Sequence, residues 1–249
     1  MRPARIPSGV IVYRGPSMLD GAPVVVVATT KTSNRKTGDM SQVWILRDDV
    51  SPVDAIRTGQ DASICGQCPH RGRLATGGNS TRTCYVNVGQ APLSVWRAMR
   101  RGVYADGPLP MHKPVRLGAY GDPAAVPFEV WSALLAEGAP KHTGYTHQWR
   151  TCDQQLKGLL MASCDSAGDA MEAARMGWRS FIVMPATFDP VADPLLTLGG
   201  EAPKARTIQC LSDRNGLECA KCGVCDGTKV SVWIHAHGSA AAFVGMGAK

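Results

Sequence analysis

Two groups of cysteines constrain this chain more than any other feature, because a shared metal centre would force the members of each group together. Seven of the nine cysteines belong to these groups, which are Cys65, Cys68 and Cys84, and Cys210, Cys219, Cys222 and Cys225. Three thiolates hold a metal centre and leave one position open, whereas four thiolates close a site. The second group contains two overlapping Cys-x-x-Cys steps, a spacing typical of iron–sulfur ligation, with zinc as the alternative.

Disulfides are the other interpretation of so many cysteines, and the rest of the sequence argues against them. The first residues lack the charged, apolar and small-residue pattern of a secretory leader. No apolar run approaches the roughly 18 residues of a membrane span. We therefore expect a cytoplasmic protein with no membrane association, in which clustered thiols stay reduced. Cys152 and Cys164 are isolated and are expected to be small buried hydrophobic residues without a role.

The formal net charge of +7 favours an anionic partner, such as a nucleic acid or a nucleotide substrate. Arg97, Arg100 and Arg101 lie on a predicted helix at 91–101 and are candidate nucleic-acid contacts, with Trp96 nearby as a stacking surface. The alternative is that Trp96 belongs to the core and that the arginines form a solvated helix face.

Extended and helical patterns divide the chain into two regions. Residues 1–60 alternate short apolar runs with turn signals and predict an antiparallel β meander packed on the remainder. Within 61–249, strands alternate with helices, which predicts βαβ units and a partial parallel (βα)6-type barrel, with a cysteine-rich metal site near the C-terminus. We expect the two regions to form one compact unit. A polar loop at 33–38 is a hairpin tip or an anion-binding loop.

Polar and titratable side chains follow several of the predicted parallel strands, and the carboxyl ends of such strands meet at one rim. Four of them are candidate catalytic proton donors and substrate contacts: Tyr145, His147, Asp165 and His235. Structural alternatives exist for each. Asp165 precedes a serine in a pattern typical of a helix N-cap, and Asp122 precedes a proline, as in many turns. His235 and His237 also fit hydrogen-bonded core histidines.

The Cys84-Tyr85 pair, the helix after it, the segment Tyr120-Gly121-Asp122-Pro123 and the late cysteine group together resemble a divergent radical S-adenosylmethionine enzyme. The overall pattern also resembles an uncharacterised family of cysteine-rich phage proteins. The radical family implies a 4Fe-4S cluster on the first three cysteines, with an open iron that chelates the methionine part of S-adenosylmethionine. The cofactor-binding residues implied by this resemblance are Tyr85, Asn87, Gly121 and Asp122. The late four-cysteine group would hold an auxiliary cluster.

Fifteen residues separate Cys68 from Cys84, so the intervening loop must fold back if the first three cysteines are to meet. The loop is polar and rich in glycine, as such a fold requires, and His70 within it is a further candidate ligand.

Three functional classes follow from these observations. The first is an iron–sulfur enzyme, radical S-adenosylmethionine-like, that modifies a nucleic acid or a nucleotide-derived substrate. The second is a transglycosylase-like barrel enzyme with a structural zinc that acts on a nucleobase, with Asp122 as nucleophile and Asp165 as acid/base. The third is a non-catalytic, zinc-stapled nucleic-acid-binding protein. Metal content separates the first class from the other two.

Overall fold

The computed structural model describes residues 7–72, 82–108, 112–189 and 207–236. The strands are β1 (Gly9–Pro16), β2 (Pro23–Thr29), β3 (Ser41–Arg47), β4 (Ala105–Asp106), β5 (Val115–Tyr120), β6 (His142–Thr146), β7 (Met161–Cys164), β8 (Ser180–Met184), β9 (Thr207–Gln209) and β10 (Ser231–His235). The helices are α1 (Pro52–Thr58), α2 (Ala62–Cys65), α3 (Ala91–Arg100), α4 (Phe128–Ala136), α5 (Ala167–Arg175), α6 (Leu211–Asn215) and α7 (Cys219–Cys222). Short 3-10 turns span Pro123–Ala125 and Gln154–Gly158.

One sheet of ten strands organises the described part of the chain, in the order β4-β1-β2-β3-β5-β6-β7-β8-β10-β9. The predicted meander is present, because β1 pairs antiparallel with β2 and β2 pairs antiparallel with β3. On its other side β3 pairs in parallel with β5, so the meander and the parallel strands share one hydrogen-bonded ladder. The short strand β4 adds to the outer side of β1 in parallel.

Six parallel strands lie side by side in chain order, namely β3, β5, β6, β7, β8 and β10, and β9 extends this parallel part at its far edge. Their number and order agree with the sequence prediction. A barrel is not confirmed, because the sheet ends at β4 on one side and at β9 on the other and does not close. The architecture is an open, mostly parallel α/β sheet.

The two faces of the parallel strands have different environments, as the alternation of side chains along a strand requires. One face contributes to the main hydrophobic core through Leu117, Ala162, Cys164, Ile182 and Trp233. Helix α5 contacts β7 and β8. The opposite face lines a cavity through Arg116, Tyr145, Ser163, Phe181 and Val232. One face of the sheet therefore stabilises the fold, and the other is available for a ligand.

Helix boundaries follow local capping chemistry. Ser51 accepts the backbone N–H of Asp54 at the start of α1, and Gly59 ends that helix with a φ of +77°. Ser166 caps α5 by accepting the backbone N–H of Asp169 at 3.0 Å. Within the described residues, no helix combines the length and the apolar character that a bilayer crossing needs.

Candidate functional site

A cavity of about 490 Å³ lies on the open face of the parallel strands, and all seven grouped cysteines line it. The two groups reach it from different parts of the chain. Cys65, Cys68 and Cys84 come from α2 and the segments after it, whereas the late group surrounds α6 and α7. Cys152 and Cys164 do not line the cavity. The sequence grouping of the cysteines therefore corresponds to a spatial grouping around one space.

The Cys65–Cys68 segment is fixed against the carboxyl end of β6 by the side chain of Gln148. Its carbonyl oxygen accepts the backbone N–H of Gln67 at 3.2 Å, and its amide nitrogen donates to the carbonyl oxygen of Cys65 at 3.2 Å. Gly66 lies between them with φ +55° and ψ −129°, and a Cβ atom there would lie 2.5 Å from the Gln148 carboxamide carbon. Only glycine fits this close approach and this backbone conformation.

The chain between Cys68 and Cys84 folds back, as the sequence requires for a shared centre. The carbonyl oxygen of His70 accepts the backbone N–H of Thr83 at 3.2 Å and that of Cys84 at 2.9 Å. These two hydrogen bonds close the base of the loop, although residues 73–81 within it lie outside the described residues. Cys84 is thereby returned to the neighbourhood of Cys65 and Cys68.

Burial raises the pKa of the Cys65 thiol well above its ordinary value, and negative charge on Cys68 would raise it further. Burial also raises the pKa of Cys84, with a partly opposing effect from the Arg82 guanidinium. At neutral pH such raised pKa values favour the protonated thiols. A metal centre bound here would have to displace those protons, and thiolates are donors that suit zinc and iron–sulfur clusters.

All nine cysteines, each within the described residues, are free thiols. No three cysteine sulfurs in the described part of the chain lie within 4.8 Å of one another, as the ligands of one compact ion do. A cubane cluster makes a different demand, because each cysteine binds a separate iron and the sulfurs stand further apart. Either kind of centre therefore stays a prediction for the cysteine groups.

The late cysteine group is anchored by the 33–38 loop, which connects β2 with β3. The backbone N–H groups of Cys219 and Ala220 donate to the carbonyl oxygens of Lys36 and Thr37, at 3.1 and 2.9 Å. The loop is thus a docking element for α7 as well as part of the cavity wall. Burial raises the pKa of the Cys225 thiol to about 12, although a hydrogen bond with Tyr145 opposes this effect.

Beside the first cysteine group, Asp165 lies between two histidines. Its Oδ1 atom is 2.8 Å from Nε2 of His70, and its Oδ2 atom is 3.4 Å from Nε2 of His147. Burial alone would raise the pKa of Asp165, but the two imidazoles hold it well below its usual range. Burial would likewise lower the pKa of His147, but hydrogen bonds to Asp165 and Cys68 raise it well above its ordinary value.

The structure places His147 and Asp165 at one rim, where strand ends were expected to meet. They follow β6 and β7, which pair in parallel, and both line the cavity. The N-cap of α5 is Ser166, so the Asp165 carboxylate remains available to the histidines. His70 is the partner that strand-end reasoning did not select, because it lies 95 residues from Asp165 in the chain. Its only signal in the sequence was its position between the cysteines.

Gly121 and Asp122 also line the cavity, at the carboxyl end of β5. The Asp122 oxygens accept the backbone N–H groups of Ala124 at 3.0 Å and of His147 at 2.8 Å. Burial raises the pKa of Asp122 above its ordinary value, although these hydrogen bonds partly oppose this effect. Gly121 has a φ of +81°, and a Cβ atom there would lie 2.8 Å from the carbonyl oxygen of Ile45. Asp122 thus organises the turn and orients the backbone at His147.

Tyr85 and Tyr145 lie in the cavity wall, in agreement with their selection from the sequence. Tyr85 is 61% exposed and accepts a hydrogen bond from Arg116. Asn87 is exposed and does not line the cavity, and its side chain accepts the backbone N–H of Gly89 at 3.1 Å. The structure therefore gives Asn87 a local turn role and no contact with the cavity.

His235 requires a correction, because the structure does not place it in the cavity wall. Its Nδ1 atom is 3.1 Å from Oδ2 of Asp213, and its Nε2 atom is 3.1 Å from the carbonyl oxygen of Phe188. Both ring nitrogens are engaged, as expected for a structural histidine. His237 lies outside the described residues.

Arg97, Arg100 and Arg101 are exposed on or just after α3, and none of them lines the cavity. Trp96 is partly buried and donates from its indole nitrogen to the carbonyl oxygen of Arg47 at 3.0 Å. The Arg100 guanidinium carbon lies 5.7 Å from the centroid of the Trp96 ring. These contacts agree with the alternative of a packed tryptophan beneath a solvated basic face.

Sequence reasoning missed one cavity residue on β5, Arg116, and gave Tyr120 no role beyond its place in the Tyr120-Gly121-Asp122-Pro123 segment. The Arg116 Nε atom and the Tyr120 hydroxyl are buried without a hydrogen-bond partner among the described residues. Burial raises the pKa of Tyr120 well above its ordinary value, and the neighbouring Cys65 adds to this effect. The available signal was an arginine in a short strand whose alternate side chains are apolar.

The resemblance to radical S-adenosylmethionine enzymes stays a prediction, since it rests on the residues and motifs of this chain alone. No protein-family model matches the chain, and neither does any curated protein or solved structure.

Proposed function

We propose that this chain is an iron–sulfur enzyme, similar to radical S-adenosylmethionine enzymes, that modifies a nucleotide-derived or nucleic-acid substrate. The observation that carries the proposal is the convergence of seven free cysteines on one cavity. Three of them would hold a 4Fe-4S cluster with one open iron, and four would hold a second, closed cluster. Six consecutive parallel strands lie behind the cavity, in a sheet that stays open, and they are the element that such an enzyme would share with this chain.

An iron–sulfur cluster with an open iron would supply electrons to a bound cofactor, for which S-adenosylmethionine is our candidate. The residues of the chain would set the surroundings of that chemistry. Cys65 and Cys84 are partly buried in the cavity wall, and the nearby Tyr120 hydroxyl has no hydrogen-bond partner among the described residues. Gly121 and Asp122 form the turn where the resemblance places the cofactor.

The cavity also carries features that suit an anionic substrate. Arg116 extends into the wall between the two cysteine groups, with interactions towards Tyr85, Tyr145 and Cys219. Its guanidinium group lines the cavity and is the cation that would pair with a phosphate or carboxylate group of the substrate. The rings of Tyr145 and Phe181, with centroids 4.6 Å apart, offer an aromatic surface for a nucleobase.

The transglycosylase-like alternative gains no support from the site. Its nucleophile would be Asp122, whose two oxygens accept backbone N–H groups and hold a turn in place. Its acid/base would be Asp165, which lies between two histidines. Zinc at the four-cysteine group remains the alternative to an auxiliary cluster.

Metal analysis of anaerobically purified protein tests the proposal. The iron, sulfide and zinc contents would be measured, together with the absorbance at about 400 nm that is typical of sulfur-to-iron charge transfer. The double variants Cys65→Ser/Cys68→Ser and Cys219→Ser/Cys222→Ser remove the groups in turn. Cys152→Ser is the matched control, because this partly buried cysteine does not line the cavity.

Each double variant is expected to lose the iron and sulfide of one cluster and to retain those of the other, while Cys152→Ser keeps both. Zinc at the four-cysteine group with iron at the three-cysteine group would leave the open-cluster enzyme intact and identify a structural zinc. Colourless wild-type protein that carries zinc alone, even after anaerobic reconstitution with iron and sulfide, would refute the iron–sulfur proposal.

A further inference from the structure

We propose that His70, His147 and Asp165 form a binding site for one divalent metal ion of the Mn²⁺ and Fe²⁺ class, with no cysteine among its ligands. The site adjoins the first cysteine group, because the His147 side chain hydrogen-bonds Cys68. One ligand atom from each of the three residues lies within 4.8 Å of the other two, and they form the single such group among the described residues. Two imidazoles and one carboxylate are the donor set of sites that keep several coordination positions open.

The distances at this site suit a common ion. Nε2 of His70 lies 2.8 Å from one Asp165 oxygen, and Nε2 of His147 lies 3.4 Å from the other. Ligands on one face of an octahedral ion stand about 3 Å apart when each bond is about 2.1 Å long. The two imidazole centroids are 5.6 Å apart with the rings inclined at 68°, so both nitrogens can converge on the carboxylate.

Supporting contacts fix the three ligands from outside. The His70 Nδ1 atom lies 2.8 Å from the Thr83 hydroxyl, which can accept a hydrogen bond from the Nδ1–H and so favour the tautomer in which Nε2 can bind an ion. The backbone N–H of His147 donates to Asp122, and the parallel pairing of β6 with β7 fixes the spacing of His147 and Asp165. Because Ser166 is the N-cap of α5, the Asp165 carboxylate does not cap this helix.

The location gives an ion at this site access to a ligand. All three side chains line the cavity, and each is between 22% and 28% exposed, so the remaining coordination positions would face the enclosed space. Imidazole and carboxylate donors suit Mn²⁺ and Fe²⁺, whereas thiolates favour zinc and iron–sulfur clusters. Mn²⁺ therefore distinguishes this site from the neighbouring cysteines, and its binding does not depend on the proposed enzyme function.

Mn²⁺ titration followed by electron paramagnetic resonance tests the site, since bound Mn²⁺ loses the sharp signal of the free ion. The variants are Asp165→Asn, which keeps the side-chain shape, and His70→Ala. Thr83→Val tests the positioning role of the hydroxyl. The matched control is His112→Ala, an exposed histidine that does not line the cavity. Circular dichroism and the iron and sulfide content are recorded on every sample, so that a folding defect or a lost cluster is seen directly.

We expect one Mn²⁺ per wild-type chain and unchanged binding in His112→Ala. Asp165→Asn and His70→Ala should each weaken binding by at least a hundredfold, and Thr83→Val by about tenfold, as for other outer contacts of metal ligands. Failure of the wild type to bind Mn²⁺ would overturn the proposal. Retention of wild-type affinity in both Asp165→Asn and His70→Ala would also overturn it, even if iron–sulfur clusters are present. Wild-type protein that binds Mn²⁺ but holds no iron–sulfur cluster would contradict the enzyme proposal alone.

Discussion

Replacing Gly66 with alanine tests how tightly the first cysteine group is built. An alanine side chain would need φ +55° with ψ −129°, a region that other residues occupy at a cost of about 1–3 kcal/mol. The added Cβ would also lie 2.5 Å from the Gln148 carboxamide, which must then leave its two hydrogen bonds. Since each bond contributes about 0.5–1.5 kcal/mol, we expect the free energy of unfolding to fall by about 2–6 kcal/mol in total.

Gly59→Ala is the matched control, because Gly59 also has a positive φ, of +77°, but nothing lies within 4 Å of its added Cβ. At Gly59 the left-handed backbone conformation alone should lower the free energy of unfolding of the alanine variant by about 1–2 kcal/mol. Urea unfolding monitored by circular dichroism gives both free energies, and labelling with a thiol reagent reports whether Cys65 and Cys68 become more reactive. Gly66→Ala should cost at least about 1 kcal/mol more than Gly59→Ala and should expose the two thiols. Equal costs with unchanged labelling would refute the close-packing argument.

Three further perturbations follow from individual contacts. Burial would raise the pKa of Asp213, but hydrogen bonds from Gln209 and His235 lower it. The ionised carboxylate therefore stabilises the fold above the unfolded pKa of about 3.9. This contribution is lost as the pH falls through the lower pKa of the folded state. Urea unfolding gives the fall in the free energy of unfolding between neutral and acid pH, and this fall should be smaller in Asp213→Asn than in the wild type. An equal fall in both proteins would contradict this assignment. Trp131→Ala removes a fully buried ring whose indole N–H donates to the Pro123 carbonyl oxygen at 2.9 Å. In the same assay the free energy of unfolding should fall by about 3–5 kcal/mol. A fall below about 1 kcal/mol would contradict the core position of this ring. Arg116→Met should weaken binding of adenosine monophosphate at least tenfold by calorimetry, whereas unchanged affinity would show that the nucleotide does not use this guanidinium.

Local patterns in the sequence predicted most of the ladder. The runs of valine and isoleucine before residue 47 and the alternating segments after 115 match observed strands, because apolar spacing and turn residues act over a few neighbours. The predicted helix at 91–101 corresponds to α3 within one residue at its C-terminal end. Closure into a barrel was not predictable in the same way, since it depends on how the first and last strands meet.

The site was only partly predictable, for a related reason. Strand ends identified His147 and Asp165, because the topology of parallel sheets places such residues at one rim. It did not identify His70, whose approach depends on a loop closed by hydrogen bonds to Thr83 and Cys84. His235 has the same strand-end position as the true cavity residues, yet Asp213 and Phe188 engage its ring. Long-range partners of this kind leave no periodic trace in the chain.

The position of β3 between β2 and β5 has a consequence for how the chain can be divided. Without residues 9–47, β5 would present unpaired N–H and C=O groups along an otherwise hydrophobic strand, next to the cavity. Such an edge is a template for pairing with another molecule. The meander therefore covers this edge of the parallel strands, and we expect a shortened chain that begins near residue 60 to self-associate more than the full chain.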